Sequence, residues 1–192
     1  MGTIKIGSAS NRVGVTIEPN DVLFNGNGVK KIMSGTTEIW KHTIKALIPT
    51  MTSNTTPSGE CSEYGGNSSY LPYRLFDNNT STFWEGADTT ISNVWVQYKF
   101  DKKTCVEKIE LTNRSDPSNY MTSFSANLQG SNNGVDFNTI TSISSSINNG
   151  EKLAFSFFNN NYYLYYRLKF TSATGSTTKT KLPVLSTLQF YG

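Results

Sequence analysis

Val94-Trp95-Val96-Gln97-Tyr98-Lys99-Phe100 carries an apolar side chain at every second position from Val94 onward, with Trp95, Gln97 and Lys99 between. Side chains of an extended strand point alternately to opposite faces, so this run predicts a strand with one buried face. The same period of two recurs on both sides of it. Ile109 and Leu111 flank Glu110, and Phe124, Ala126 and Leu128 alternate with Ser125 and Asn127. Leu153, Phe155 and Phe157 alternate with Ala154 and Ser156. Leu164, Tyr166, Leu168 and Phe170 alternate with Tyr165, Arg167 and Lys169, and Leu188 and Phe190 close the chain. No stretch has helical spacing. Asn132-Asn133-Gly134 and Asn148-Asn149-Gly150 are turn signals between runs. Many short strands joined by such turns predict an all-β chain folded as a sandwich or jelly roll.

The 192 residues suit one domain with a small appendage. Aromatics make up 12% and charged residues only 16%, which excludes disorder of the chain as a whole. No apolar run reaches the ~18 residues that a membrane-spanning helix needs. Met1 to Ser10 lacks a basic stretch followed by an apolar one, so no secretory signal is expected in this sequence. The net charge of +3 comes from scattered lysines and arginines, the densest groups being Lys30 with Lys31, Lys102 with Lys103, and Lys179 with Lys181. Nucleic-acid binders show a denser basic stripe, so no nucleic-acid partner is expected. Cys61 and Cys105 are too few for a thiolate zinc site, and they can form one disulfide or stay separate thiols. The lone histidine, His42, has no nucleophile motif nearby, so a triad or a Cys-His pair is not expected. Hydrolysis by a carboxylate pair stays open on composition alone, since there are 14 acidic residues.

A boundary falls near residues 42 to 46, giving a small β unit over 1–42 and a sandwich over 43–192. In the first unit Ile4-Lys5-Ile6, Val13 to Ile17 and Val22 to Phe24 read as strands, with a turn at Asn25-Gly26-Asn27-Gly28. Val29 to Ile32 and Thr37 to Trp40 follow, around a turn at Ser34-Gly35. About 40 residues of hairpins bury too little apolar surface to be secure alone, so this unit is expected to lean on a partner. In the second unit Thr50 to Tyr70 is the longest polar stretch and reads as a long loop, the kind that carries function.

From about Leu47 to the end the chain resembles a discoidin domain, the coagulation-factor type C fold shared with galactose-binding carbohydrate-binding modules. Leu75-Phe76-Asp77-Asn78-Asn79-Thr80-Ser81-Thr82-Phe83-Trp84 resembles that family's Asp-loop signature, and Val94 to Phe100 its Trp-x-Gln-x-x-Phe strand. Val106 to Arg114 and Leu128-Gln129-Gly130-Ser131-Asn132-Asn133-Gly134-Val135-Asp136-Phe137 resemble its next two segments. Tyr166-Arg167-Leu168 and Leu185 to Gly192 resemble its closing strands. The resemblance implies a jelly-roll β-sandwich of about eight strands. Separately, Gly28 to Trp40 is similar to hairpins in tail and head-decoration proteins of bacteriophages.

The discoidin resemblance implies two sites. One is a structural calcium site, built by the carbonyl of Arg74, the carboxylate of Asp77, Asn79, Thr82 and a carbonyl of Ser186. Calcium takes six to eight oxygens, and these groups supply carboxylate, amide, hydroxyl and carbonyl. Thr187 stands where the family places a glutamate, which removes one carboxylate. The other is a ligand surface at one end of the sandwich. Its candidates are Tyr64, Tyr70, Trp84, Glu85, Arg114, Asn119 and Tyr120, because sugars need an aromatic face for the ring and rigid polar groups for the hydroxyls. Trp84 fits either this surface or a place packed beneath the loop, and Arg114 either contacts ligand or fixes its own loop. Tyr73 and Tyr98 are expected in the core. Discoidin domains that bind membranes present apolar spikes among basic residues. The corresponding loops here are rich in Ser, Thr, Asn and Gly, Met121 being the main exception, so lipid ranks below sugar. The expected function is a non-catalytic carbohydrate-binding protein. It is expected to be a homo-oligomeric component of a bacteriophage virion, contacting other virion proteins and adhering to host or mucosal glycans. The alternatives are an assembly protein of the virion without a small ligand, and an extracellular location.

Overall fold

The computed structural model describes residues 23–24, 27–28, 31–34, 37–41, 43–86, 94–115, 121–175 and 182–192. The chain divides into two compact units, Met1–Ile44 and Lys45–Gly192. In the first, β1 (Leu23–Phe24) pairs antiparallel with β2 (Asn27–Gly28), and β3 (Lys31–Ser34) with β4 (Thr37–Lys41). Both pairs close over two residues, Phe24 facing Asn27 and Ser34 facing Thr37. Asn27 and Gly28 are thus strand residues, not part of the expected four-residue turn, because a two-residue hairpin suffices to reverse the chain. The strands expected at Ile4 to Ile6 and Val13 to Ile17 lie outside the described residues.

The second unit contains β5 (Glu60–Tyr64), a 3₁₀ turn (Pro72–Leu75), β6 (Trp84–Glu85), β7 (Trp95–Thr104) and β8 (Lys108–Asn113). β9 (Ser123–Ser131), β10 (Asn138–Ser146), β11 (Lys152–Ser156), β12 (Tyr163–Thr174) and β13 (Val184–Tyr191) follow. They form a five-stranded sheet, β10-β9-β12-β7-β5, and a four-stranded sheet, β11-β8-β13-β6, with antiparallel pairing throughout. The alternation starting at Val94 is the reason. Val94, Val96, Tyr98 and Phe100 are buried, and so are Tyr166, Leu168 and Phe170 of β12 and Ile109 and Leu111 of β8. Rings of the five-stranded sheet meet edge-on within the core: Tyr98 with Phe100 at 4.8 Å, and Phe100 with Tyr166 at 5.9 Å. Each buried phenol keeps a partner, as burial demands. Tyr166 donates to the Thr104 carbonyl at 2.7 Å, and Tyr98 to that of Ser58 at 2.8 Å. Tyr98 is therefore core as expected, while Tyr73 is half-buried against it.

Two strands depart from the expectation. Glu60–Tyr64 lies within the stretch read as a long loop, yet it pairs with β7 along its whole length, Tyr64 opposite Trp95. It is an edge strand that buries only Cys61, so its composition carries almost no alternation. β10 was also hidden, because Ile140 and Ile143 are three apart. A bulge between Thr139 and Thr141 explains the spacing. One extra residue in a strand shifts the side-chain phase, which brings Ile140 and Ile143 both against the core.

Candidate functional site

The loop that follows the 3₁₀ turn is shaped by its own polar side chains. Asn78 adopts a left-handed backbone, φ 54°, which asparagine tolerates better than most residues. The Asn79 N–H donates to Asp77 Oδ1 at 2.9 Å, and the Thr82 hydroxyl donates to Asp77 Oδ2 at 2.6 Å. The Thr82 hydroxyl also lies 2.9 Å from the Asn79 carbonyl. Three oxygens from Asp77, Asn79 and Thr82 therefore converge. Ser186 is fully buried in β13, its hydroxyl directed at the carbonyls of Thr112 and Asn113. Thr187 lies 2.7 Å from the Thr112 hydroxyl. Among the described residues no three His, Cys, Asp or Glu side chains gather as a metal cluster.

After the loop, Phe83 and Trp84 face opposite ways. Trp84 is fully buried, stacked on Phe170 at 6.0 Å, with its indole N–H donating to the Glu63 carboxylate. Of the two places open to Trp84, the structure selects the one beneath the loop, and Trp84 is no part of a ligand surface. The indole is fully enclosed there, and its N–H finds its acceptor in the same place. Phe83 turns outward instead. Its ring centroid lies 4.2 Å from that of Tyr70, and the Arg114 guanidinium covers it at 3.7 Å. Arg74 extends the group, 5.8 Å from the Tyr70 ring. A cation against an aromatic face is held electrostatically as well as by packing, so Arg74, Tyr70, Phe83 and Arg114 form one pre-arranged cluster.

Asn113 fixes the start of the Arg114 loop. It is buried, and its amide donates to the carbonyls of Met121 and Asn148 at 2.9 and 3.0 Å. Met121, the expected apolar exception, is itself buried and offers no spike to a membrane. Tyr64 is 60% exposed, but it stacks on Trp95 at 6.3 Å on the outer face of the five-stranded sheet. It therefore does not join Tyr70. Glu85 is half-buried in β6, where its carbonyl accepts from the Asn67 N–H. Asn119, Tyr120, Lys179 and Lys181 lie outside the described residues. The sequence reading brought Tyr70 and Arg114 to one surface but missed Phe83 between them. Its only signal is its place one residue before Trp84, at the entry to β6.

The F5/8 type C domain profile matches residues 53–181. The chain belongs to that family. No curated protein matches it in sequence. Among solved structures, the F5/8 type C domain is similar to the family 32 carbohydrate-binding module of NanJ from C. perfringens, solved in complex with galactose. That likeness has 14% identity and a TM-score of 0.60, and covers 78% of this chain and 100% of that one. It is also similar to the module of the same family from AlyQ, solved with 4,5-unsaturated mannuronic acid, at 12% identity and TM-score 0.56, covering 73% and 97%. A truncated AlyQ that adds alginate lyase domains is matched over 34% of its length. At such identities the likeness establishes the fold, here a carbohydrate-binding module fold.

Two carboxylates of the F5/8 type C domain give its stability opposite pH dependences. Burial raises the Glu63 carboxyl above its ordinary range, partly offset by the Trp84 hydrogen bond. The folded state then holds its proton longer than the unfolded chain, so stability falls as pH rises through the folded value. Hydrogen bonds from Lys108 and Tyr191 lower the Glu110 carboxyl. That stabilisation is lost as pH falls through its depressed value. In thermal melts from about pH 3 to 8, Glu63→Gln is expected to gain on the parent as pH rises, whereas the parent's advantage over Glu110→Gln is expected to shrink only on the acid side. Parallel curves for parent and Glu63→Gln would remove Glu63 from the account. The thiols contribute no nucleophile. Cys61 and Cys105 are free, and burial pushes them up to about 12 and about 11, so both are neutral at pH 7.

Proposed function

We propose that this domain binds carbohydrate without catalysing a reaction, through the cluster of Tyr70, Phe83 and Arg114. The observation that carries this reading is the Phe83 ring packed against both Tyr70 and the Arg114 guanidinium, next in sequence to a loop stiffened by Asp77. Such a group offers an apolar face for a sugar ring and fixed donors for its hydroxyls. A single site of this kind is weak, because a sugar exchanges hydrogen bonds with water for similar ones with protein. Copies on a particle would restore strength by avidity. The F5/8 type C match and the carbohydrate-binding fold support the reading. The separate unit Met1–Ile44 supports a role as anchor, which we assign to a bacteriophage virion with glycans of a host or mucosa as the target. The test is a glycan array probed with a multimerised full chain. Signal on a defined sugar class is expected. A blank array from folded protein overturns the reading and favours a virion assembly role.

Calcium belongs to the same proposal as a loop-ordering ion. The Arg74 carbonyl, Asp77 carboxylate, Asn79, Thr82 and the Ser186 carbonyl would hold it, an all-oxygen set with one carboxylate. One charge and the missing glutamate at Thr187 make the site weak. Calcium at ten times its dissociation constant adds about 1.4 kcal/mol, so the Tm is expected to rise by about 3–6 °C over the chelated protein. Asp77→Asn should abolish the rise. Equal melting temperatures in chelator and in calcium would refute calcium binding.

A further inference from the structure

The outer face of the five-stranded sheet carries a second group of aromatic and basic side chains, away from the Tyr70–Phe83–Arg114 loops. Strand register places Gln97 beside Arg167 and Arg167 beside Gln129 across β7, β12 and β9. The neighbouring row holds Tyr64 stacked on Trp95, with Lys169 opposite Trp95. Arg167 is the fixed point between the rows. Its guanidinium lies 3.6 Å from the centre of the Phe137 ring and 5.7 Å from that of Trp95, and its Nε donates to Gln129 Oε1 at 2.7 Å. Partial burial lowers its pKa, yet an arginine stays charged.

The charge on this face is unbalanced. Lys99, Arg167 and Lys169 stand on it, against the carboxylates of Glu60 and of Asp101 further along β7, and Asp101 already accepts from the Gly59 N–H. Glu60 already pairs with Lys99 at 3.6 Å. The array crosses four strands, β5 to β9, which is three spacings of about 4.8 Å, or roughly 14 Å. Rings spread over this breadth suit the faces of successive sugars, and a guanidinium held in place by Phe137 and Gln129 meets a carboxylate with charge-assisted hydrogen bonds. We propose that this face is a second carbohydrate site, which takes an extended chain of acidic sugars. The positive charge selects the acidic chain over a neutral one. The inference does not depend on the loop site.

The test titrates the full chain with polygalacturonate at low salt by calorimetry, with neutral dextran and dextran sulfate alongside. Binding to polygalacturonate and none to neutral dextran is expected, weakening as salt rises. Arg167→Gln should lower the affinity about tenfold or more, since it removes a charge-assisted contact. Trp95→Ala should do the same, and Lys169→Gln should flatten the salt dependence without risk to the fold. Three results overturn the proposal. One is no binding to polygalacturonate. Another is equal binding to dextran sulfate that ignores Trp95→Ala, which marks general attraction to polyanions. The third is a dimer dissolved by Trp95→Ala, which gives the face to a second copy of the chain.

Discussion

Trp84→Ala is expected to destabilise the sandwich by about 3–5 kcal/mol, the range for removing a large buried aromatic. For a domain of this size that lowers the Tm by roughly 10 °C or more. Two losses add. The indole is fully buried and stacked on Phe170, so its removal leaves a cavity between β6 and β12. Its N–H is also a donor to Glu63, whose burial already penalises its charge. Trp84→Phe separates the two, since it keeps most of the volume and loses only the donor. That variant should cost about 1–3 kcal/mol, the penalty of a buried group left without its partner. The steeper loss at high pH expected for Trp84→Phe would identify Glu63 as the group affected. Urea unfolding followed by circular dichroism measures both, and a Trp84→Ala protein within 1 kcal/mol of the parent would mean the ring is not a core member.

The second large effect concerns binding. Phe83→Ala is expected to weaken the glycan found on the array about thirtyfold, corresponding to the ~2 kcal/mol of an aromatic hot spot. The ring serves as the centre of the cluster, in contact with both Tyr70 and Arg114, so its loss frees both partners. Arg114→Ala should lose comparable affinity, whereas Arg114→Lys should recover little, because an ammonium lacks the flat fork of a guanidinium. The double variant should lose less than the two singles together, since both act through one cluster. Phe83 is half-buried on the surface, so its removal should leave the Tm within a few degrees. Unchanged affinity in Phe83→Ala, with the array signal intact, would move the sugar away from this cluster. The polygalacturonate titration reports on Trp95 and Arg167 and is read independently.

How the site forms follows from the order of these elements. The Asp77 loop, the buried Trp84 and the outward Phe83 occupy eight consecutive positions, so one short segment both anchors the loop and presents the ring. Arg114 arrives from the end of β8, two strands from β6 in the same four-stranded sheet, positioned by the buried amide of Asn113. A substitution that loosens Asn113 would therefore act on binding without touching a sugar.

Alternation of apolar and polar residues from Val94 to Phe100 and from Leu164 to Phe170 determined the β-sandwich by itself, because period two is a property of the chain and not of its surroundings. Asn132-Asn133-Gly134 and Asn148-Asn149-Gly150 likewise marked turns, with Gly134 and Gly150 at φ 74° and 66°. The Asp77 loop was legible for the same reason, since its hydrogen bonds run between near neighbours. Tertiary structure alone decided the rest. The edge strand Glu60–Tyr64 and the bulged β10 gain their order from the strands beside them, not from their own composition. Trp84 and Phe83 are adjacent aromatics of similar hydrophobicity, and only the position of the second sheet determines which is buried. The approach of Arg114 to Phe83, and of Phe137 to Arg167, joins residues about 30 positions apart, and such contacts depend on the order in which strands and their loops are placed within each sheet, which no local pattern encodes.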